Sequence, residues 1–143
     1  MRKINYIVVH CSATREGCTL TSEVLEAEHR RRGFRTTGYH YYIRRDGTVL
    51  GTCSLELPGA HCRGHNKYSI GICYEGGLDA RGNPKDTRTP EQRSALHLLV
   101  YQLLQQFRNA RVCGHRDLSP DLDGDGTVEP WEWVKQCPCF EVS

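Results

Sequence analysis

A chain of 143 residues, 38% hydrophobic and 25% charged, is long enough to bury about two-thirds of the surface its unfolded form exposes, so one globular domain is expected. A formal net charge of +2 is too balanced for nucleic acid or an anionic membrane to be the main partner. No apolar run has transmembrane length, and Tyr6 to Val9 falls short of a signal-peptide core of roughly 7 to 15 residues; the expectation is a monomer, cytoplasmic on synthesis.

Ile4 to Val9 is a run of apolar and β-branched residues, which reads as a buried strand delivering His10 at its carboxyl end, where α/β sheets place ligands. Thr21 or Ser22 can cap a helix over Glu23 to Arg32, with the basic run Arg30 to Arg32 at its negative end and Gly33 as the stop. Tyr39 to Arg44 and Thr48 to Gly51 flank Asp46-Gly47, a hairpin signal, and Tyr39 opens that hairpin. Leu57 to Lys67 is a loop, Ser69 to Tyr74 returns to strand pattern, Gly76-Gly77 breaks it, and Leu78 to Arg88 reads as a polar surface loop. Thr89-Pro90-Glu91-Gln92 combines an N-cap, a proline at the first helical position and a capping-box glutamine. The apolar positions that follow, Leu96, Leu99, Val100, Leu103, Leu104 and Phe107, share one helix face, and His97 lies off it in solvent. A last short strand precedes His115. The pattern predicts an α/β fold, a single domain with a central mixed sheet flanked by helices.

Chemistry is densest between Arg111 and Phe140. His115 and Cys137 are donors of the kind zinc takes, whereas Asp121, Asp123 and Asp125 offer hard oxygens suited to calcium. Of the eight cysteines only Cys137 and Cys139 are close in sequence, and no finger-like pair of CxxC motifs occurs; the other six are expected to be buried, reduced thiols.

Four segments, VVHCSAT (8–14), GYHYYIRRDGT (38–48), AHCRGHNKYSIGICYEGG (60–77) and KQCP (135–138), resemble in order and spacing the zinc-dependent N-acetylmuramoyl-L-alanine amidases of the bacteriophage T7 lysozyme type, which share a fold with peptidoglycan recognition proteins. The resemblance implies zinc ligands at His10, His115 and Cys137 and catalytic helpers at Tyr39 and Lys135. It also places His61, His65 and Asn66 beside a substrate groove, with His61 the leading candidate for substrate contact. Elementary chemistry agrees: three protein ligands leave a fourth zinc position for water, whose pKa the ion can lower to about 7. Lys135 could then stabilise an oxyanion, and Tyr39 could orient the water or exchange a proton with it. His40, next to Tyr39 in a strand, should face the other way, where a packing role is to be expected at least as much as a functional one. Cys11, directly after a ligand, is a poor ligand itself.

Leu118 to Val134 is longer than the connection expected in such amidases. Asp121, Asp123, Asp125, Gly126, Thr127, Glu129 and Glu132 occupy positions 1, 3, 5, 6, 7, 9 and 12 of an EF-hand-type loop. Calcium would be held by Asp121, Asp123, Asp125, Thr127 and Glu132. Pro130 suits an exiting helix, Trp131 to Lys135, but Ser119-Pro120 does not suit an entering one; the expectation is half an EF-hand, inserted at 121–132.

Two functions compete. One is an endolysin-like amidase cutting between N-acetylmuramic acid and L-alanine of the stem peptide; the other is a non-catalytic peptidoglycan-binding module, which has no need of the three ligands together with Tyr39 and Lys135. A zinc deaminase would need His-x-Glu and Pro-Cys-x-x-Cys segments, and neither is present.

Overall fold

The computed structural model describes residues 2–33, 37–133 and 135–142. In chain order its elements are β1 (Tyr6–Cys11), β2 (Thr14–Arg15), α1 (Ser22–Arg31), β3 (Tyr41–Ile43), β4 (Val49–Gly51), β5 (Ser69–Tyr74), β6 (Gly77–Leu78), α2 (Pro90–Gln106) and β7 (Arg111–Gly114). Five strands form one sheet in the order β4-β3-β5-β1-β7. β1 lies parallel to β5 and β7, β3 lies parallel to β5, and only β3 and β4 run antiparallel. The architecture is the mixed α/β sheet with flanking helices that the pattern predicts.

Both faces of the central strands are covered, so β1 and β5 show an unbroken apolar run rather than alternation. Period two still sorts their side chains. Ile7, Val9, Cys11, Ile70, Ile72 and Tyr74 pack with Leu96, Leu99 and Leu103 of α2. On the other face Cys73 and Tyr42 meet Leu25 of α1, with Tyr39 against them. His10, between Val9 and Cys11, belongs to this second face. Both helices start as their caps dictate: Thr21 accepts from the Val24 N–H, and Thr89 and Gln92 form the reciprocal capping box. Gln92 is fully buried, and its Nε2 donates to the carbonyls of Ile43 and Glu75, which seats the start of α2 on the sheet.

Several boundaries differ from expectation. β1 begins at Tyr6 rather than Ile4, because its ladder starts opposite Ser69 and Arg111; Ile4 is buried without being paired. β3 begins at Tyr41, leaving Tyr39 and His40 in the bend that enters it. The hairpin closes by Gly47 N–H donating to the Arg44 carbonyl, with positive φ at Gly47. The 78–88 segment is not all loop, since β6 pairs with β2; two-residue strands are too short to leave a period. The expected helix Trp131 to Lys135 is a 3-10 turn over Pro130–Glu132, and Trp133 is already extended; Val134 lies outside the described residues. All eight cysteines are free, but Cys18 is exposed and Cys53 half-buried, while Cys11, Cys62, Cys73 and Cys113 are buried as expected.

Candidate metal centre and cleft

β1 and β7 are adjacent and parallel, with Val9 opposite Gly114, so the next residues, His10 and His115, emerge side by side at the carboxyl edge of the sheet. Their ring centroids are 4.6 Å apart. Beyond Gly114 the edge of β1 has no strand partner, and the N–H of Cys11 donates instead to Cys137 Sγ at 3.1 Å. The segment carrying Cys137 is held there by two further bonds, from Arg116 N–H to the Cys137 carbonyl and from Tyr74 Oη–H to the Pro138 carbonyl at 2.6 Å. Gly114 permits this approach: a Cβ there would lie 2.6 Å from Pro138 Cδ. As a result one donor atom from each of His10, His115 and Cys137 lies within 4.8 Å of the others. Two imidazoles and a thiol at that separation suit a tetrahedral zinc ion with one position left open.

His10 is 1% exposed. Its Nε2 is hydrogen-bonded to His61 Nδ1 at 2.9 Å, and His61 Nε2 to Ser69 Oγ at 3.0 Å. With the proton on Nε2, the lone pair on His10 Nδ1 is left for a metal. Burial, then the nearby His61, His115 and Lys135, holds the His10 pKa well below the ordinary histidine value. Burial, then His40, pushes that of His61 down to about 3. Both rings are thus neutral at neutral pH, as metal ligation requires. Bare Gly71 makes room for His61, since a Cβ there would be 2.6 Å from its Cγ. Asn66 Oδ1 accepts from the N–H groups of His61 and Cys62, fixing the loop that carries the ring.

Tyr39 sits over His10, centroid to centroid 5.1 Å, and its carbonyl accepts from the hydroxyls of Thr37 and Thr52. Burial, then the sulfurs of Cys73, Cys137 and Cys11, raises its phenol well above the usual value, so it remains an O–H donor. His40 is buried, accepting from Gly71 N–H and bonding the Leu57 carbonyl, so its ring is engaged in holding the loop to the sheet.

A cleft of about 980 Å³ opens on this centre and is lined by His61, Asn66, His115 and Lys135 together with Arg63 and Asp117. His61 and Asn66 therefore reach the cleft wall, but the atoms described above already have partners inside the protein. The bond from His61 to His10 links residues 51 apart and has no counterpart in any sequence period; no signal in the chain announces it.

The second acidic group also converges. Oxygens of Asp121, Asp123, Asp125, Glu129 and Glu132 lie within 4.8 Å of one another. Glu132 is buried and accepts from the N–H groups of Leu122, Asp123 and Glu129. Glu129 joins the group through a position not counted among the expected ligands; its Oε2 is buried and has no hydrogen-bond partner among the described residues. The neighbouring carboxyl groups of Asp125 and then Glu132 push its own carboxyl up to about 8. Thr127, expected as a ligand, donates its N–H to Asp125 Oδ1. Just past the loop, the Trp133 ring lies 3.9 Å from the guanidinium of Arg116, the residue after His115.

Comparison with known proteins gives a consistent result. The family profile described as N-acetylmuramoyl-L-alanine amidase matches residues 1–138. The endolysin of Klebsiella phage KP32 is 35% identical, over 99% of this chain and 84% of the endolysin. The endolysin of Escherichia phage T7 is 32% identical, over 95% of this chain and 81% of the endolysin. Among solved structures, the N-acetylmuramoyl-L-alanine amidase LysC from Clostridium intestinale superposes with a TM-score of 0.74 at 26% identity, over 96% of this chain and 77% of LysC. Family profile, sequence and fold agree over nearly the whole length, and the chain is an enzyme of the N-acetylmuramoyl-L-alanine amidase family.

Proposed function

We propose that this amidase is a zinc-dependent, endolysin-like peptidoglycan hydrolase that cleaves the amide between N-acetylmuramic acid and L-alanine of the stem peptide. The observation that carries the proposal is the convergence of His10, His115 and Cys137, with His115 and Lys135 on the cleft wall and Tyr39 over His10. A zinc ion held by those three residues would supply Lewis acidity for attack of water on an amide carbonyl. Lys135 is exposed in the cleft and can place its ammonium on the oxygen where charge develops. Tyr39, kept protonated, orients the attacking water or the scissile group by donating a hydrogen bond. His61 and Ser69 hold His10 in the tautomer that ligates. The cleft has the size of a site for a sugar-peptide fragment, and we assign contacts at its wall to His61 and Asn66. The protein works as a monomer on the cell wall after release or export; no helix among the described residues is long and apolar enough to cross a membrane.

The test is mass analysis of fragments released from purified sacculi, with and without chelator. Free stem peptides and intact glycan strands are expected, release ceasing on chelation and returning with zinc. Retained binding without release would make the protein a peptidoglycan-binding module, and full activity in metal-free protein would remove zinc from the mechanism.

We propose further that the insertion at 121–132 binds calcium through Asp121, Asp123, Asp125, Thr127 and Glu132, with Glu129 turned toward the same point. The complete twelve-residue pattern, the grouped carboxylates and the unpartnered Glu129 Oε2 support this assignment.

A further inference from the structure

Three sulfurs meet behind the metal centre. Cys11 Sγ lies 3.9 Å from Cys139 Sγ, while the N–H of Cys11 is the donor to Cys137 Sγ. Of these three cysteines only Cys137 belongs to the metal-ligand group; Cys11 and Cys139 are free thiols without a role in it. The Cys11 side chain is confined, 8% exposed and close enough to Gly77 that a Cβ there would fall 2.5 Å from its sulfur. Cys139 is half-buried and sits in a segment with no helix or strand pairing to resist a small rotation. Sulfurs already in van der Waals contact need close by only about 2 Å to reach bonding distance.

We propose that Cys11 and Cys139 are a redox pair whose disulfide fastens residues 135–142 to the end of β1 and leaves Cys137 in the metal site. A low-molecular-weight disulfide such as oxidised glutathione exchanges first with the more accessible Cys139, forming a mixed disulfide and releasing one small thiol. Cys11 Sγ then displaces the second small thiol and forms the Cys11–Cys139 bond. Two protein thiols lose two hydrogens and two electrons, and the small disulfide leaves as two thiols. The bond joins residues 128 apart, so it constrains the unfolded chain strongly. It also ties together the flanks of two metal ligands, the residue after His10 and the second residue after Cys137. The pairing depends on the sulfur contact and is independent of the substrate assigned above.

The experiment uses the full chain as purified, its metal content measured, equilibrated with oxidised or reduced glutathione, quenched by alkylation and digested. Cys137 and Cys139 share one tryptic peptide, so fragmentation across Pro138 assigns the linkage. Expected are a Cys11–Cys139 cross-linked peptide, an unchanged metal content and a Tm about 10 °C higher in the oxidised form. Cys139→Ser should lose both the cross-link and the redox-dependent Tm shift while keeping the metal content of the parent. A Cys11–Cys137 cross-link with loss of metal, mixed disulfides without any internal cross-link, or the same Tm shift in Cys139→Ser would each overturn the proposal.

Discussion

His61 has both ring nitrogens committed to protein partners, one to His10 and one to Ser69, so beyond the contact assigned to it at the cleft wall its effect on chemistry passes through His10. Replacing it with alanine should weaken zinc affinity by roughly 10- to 100-fold, the scale for losing a group that orients a ligand. Competition against a chromophoric chelator measures this, and excess zinc should restore the part of the activity lost through the metal; an unchanged affinity would show that His10 holds its tautomer without help. Lys135 calls for the opposite signature. It lines the cleft without belonging to the ligand group, so Lys135→Ala should lower kcat by on the order of a hundredfold with zinc content intact. Parallel loss of zinc would trace the defect to Cys137 instead. The proposed ligands and Lys135 are legible in the chain because each lies in a short word of fixed spacing. The His10–His61–Ser69 relay is not, because it joins a strand, a loop and a neighbouring strand by bonds that only the folded sheet creates.

At the scale of elements, the 121–132 loop shows how local pattern and tertiary context divide the outcome. The twelve-residue spacing brings its carboxylates together, but the helix expected after Pro130 stops at one turn, where Trp133 lies under Arg116. The Arg116–Trp133 cation–π contact offsets helix propagation there, which a single turn rewards little. Without flanking helices to preorganise it, the loop should bind calcium weakly, with Kd about 10⁻⁵ to 10⁻³ M. Thermal melts of zinc-loaded protein should show a Tm that rises with millimolar calcium more than with magnesium, and Glu132→Gln should blunt the rise. An identical rise in the variant, or none in the parent, would leave the loop a solvated acidic insertion. The capping box of α2, by contrast, was readable to the residue because all its parts lie within four positions.

Over the whole molecule, buried imidazoles set the response to acid. His29, His40 and His61 all have pKa values lowered chiefly by burial, His61 to about 3. In the unfolded chain these rings take up protons near pH 6.5. The unfolded state therefore binds more protons below that pH, and stability present above it is lost as pH falls toward the folded values. Tm in the presence of chelator should be lower at pH 5 than at pH 7; a flat profile would mean that the rings stay neutral in both states or charge without cost.

The placement of β1 has one more consequence, for the order in which the molecule can be made. Within residues 1–143 the earliest strand in chain order is a central one, and both neighbours that pair with it, β5 and β7, are synthesised after the hairpin and, for β7, after α2. Its end waits longest, since the sulfur that receives the Cys11 N–H lies 126 residues downstream. Parallel pairings this distant in sequence are slow to form, and the nascent chain must hold an apolar strand unpaired until they do. A chain translated short of Cys137 thus lacks one of the three proposed metal ligands, and on the zinc mechanism proposed above it gains cutting power only once that residue is in place.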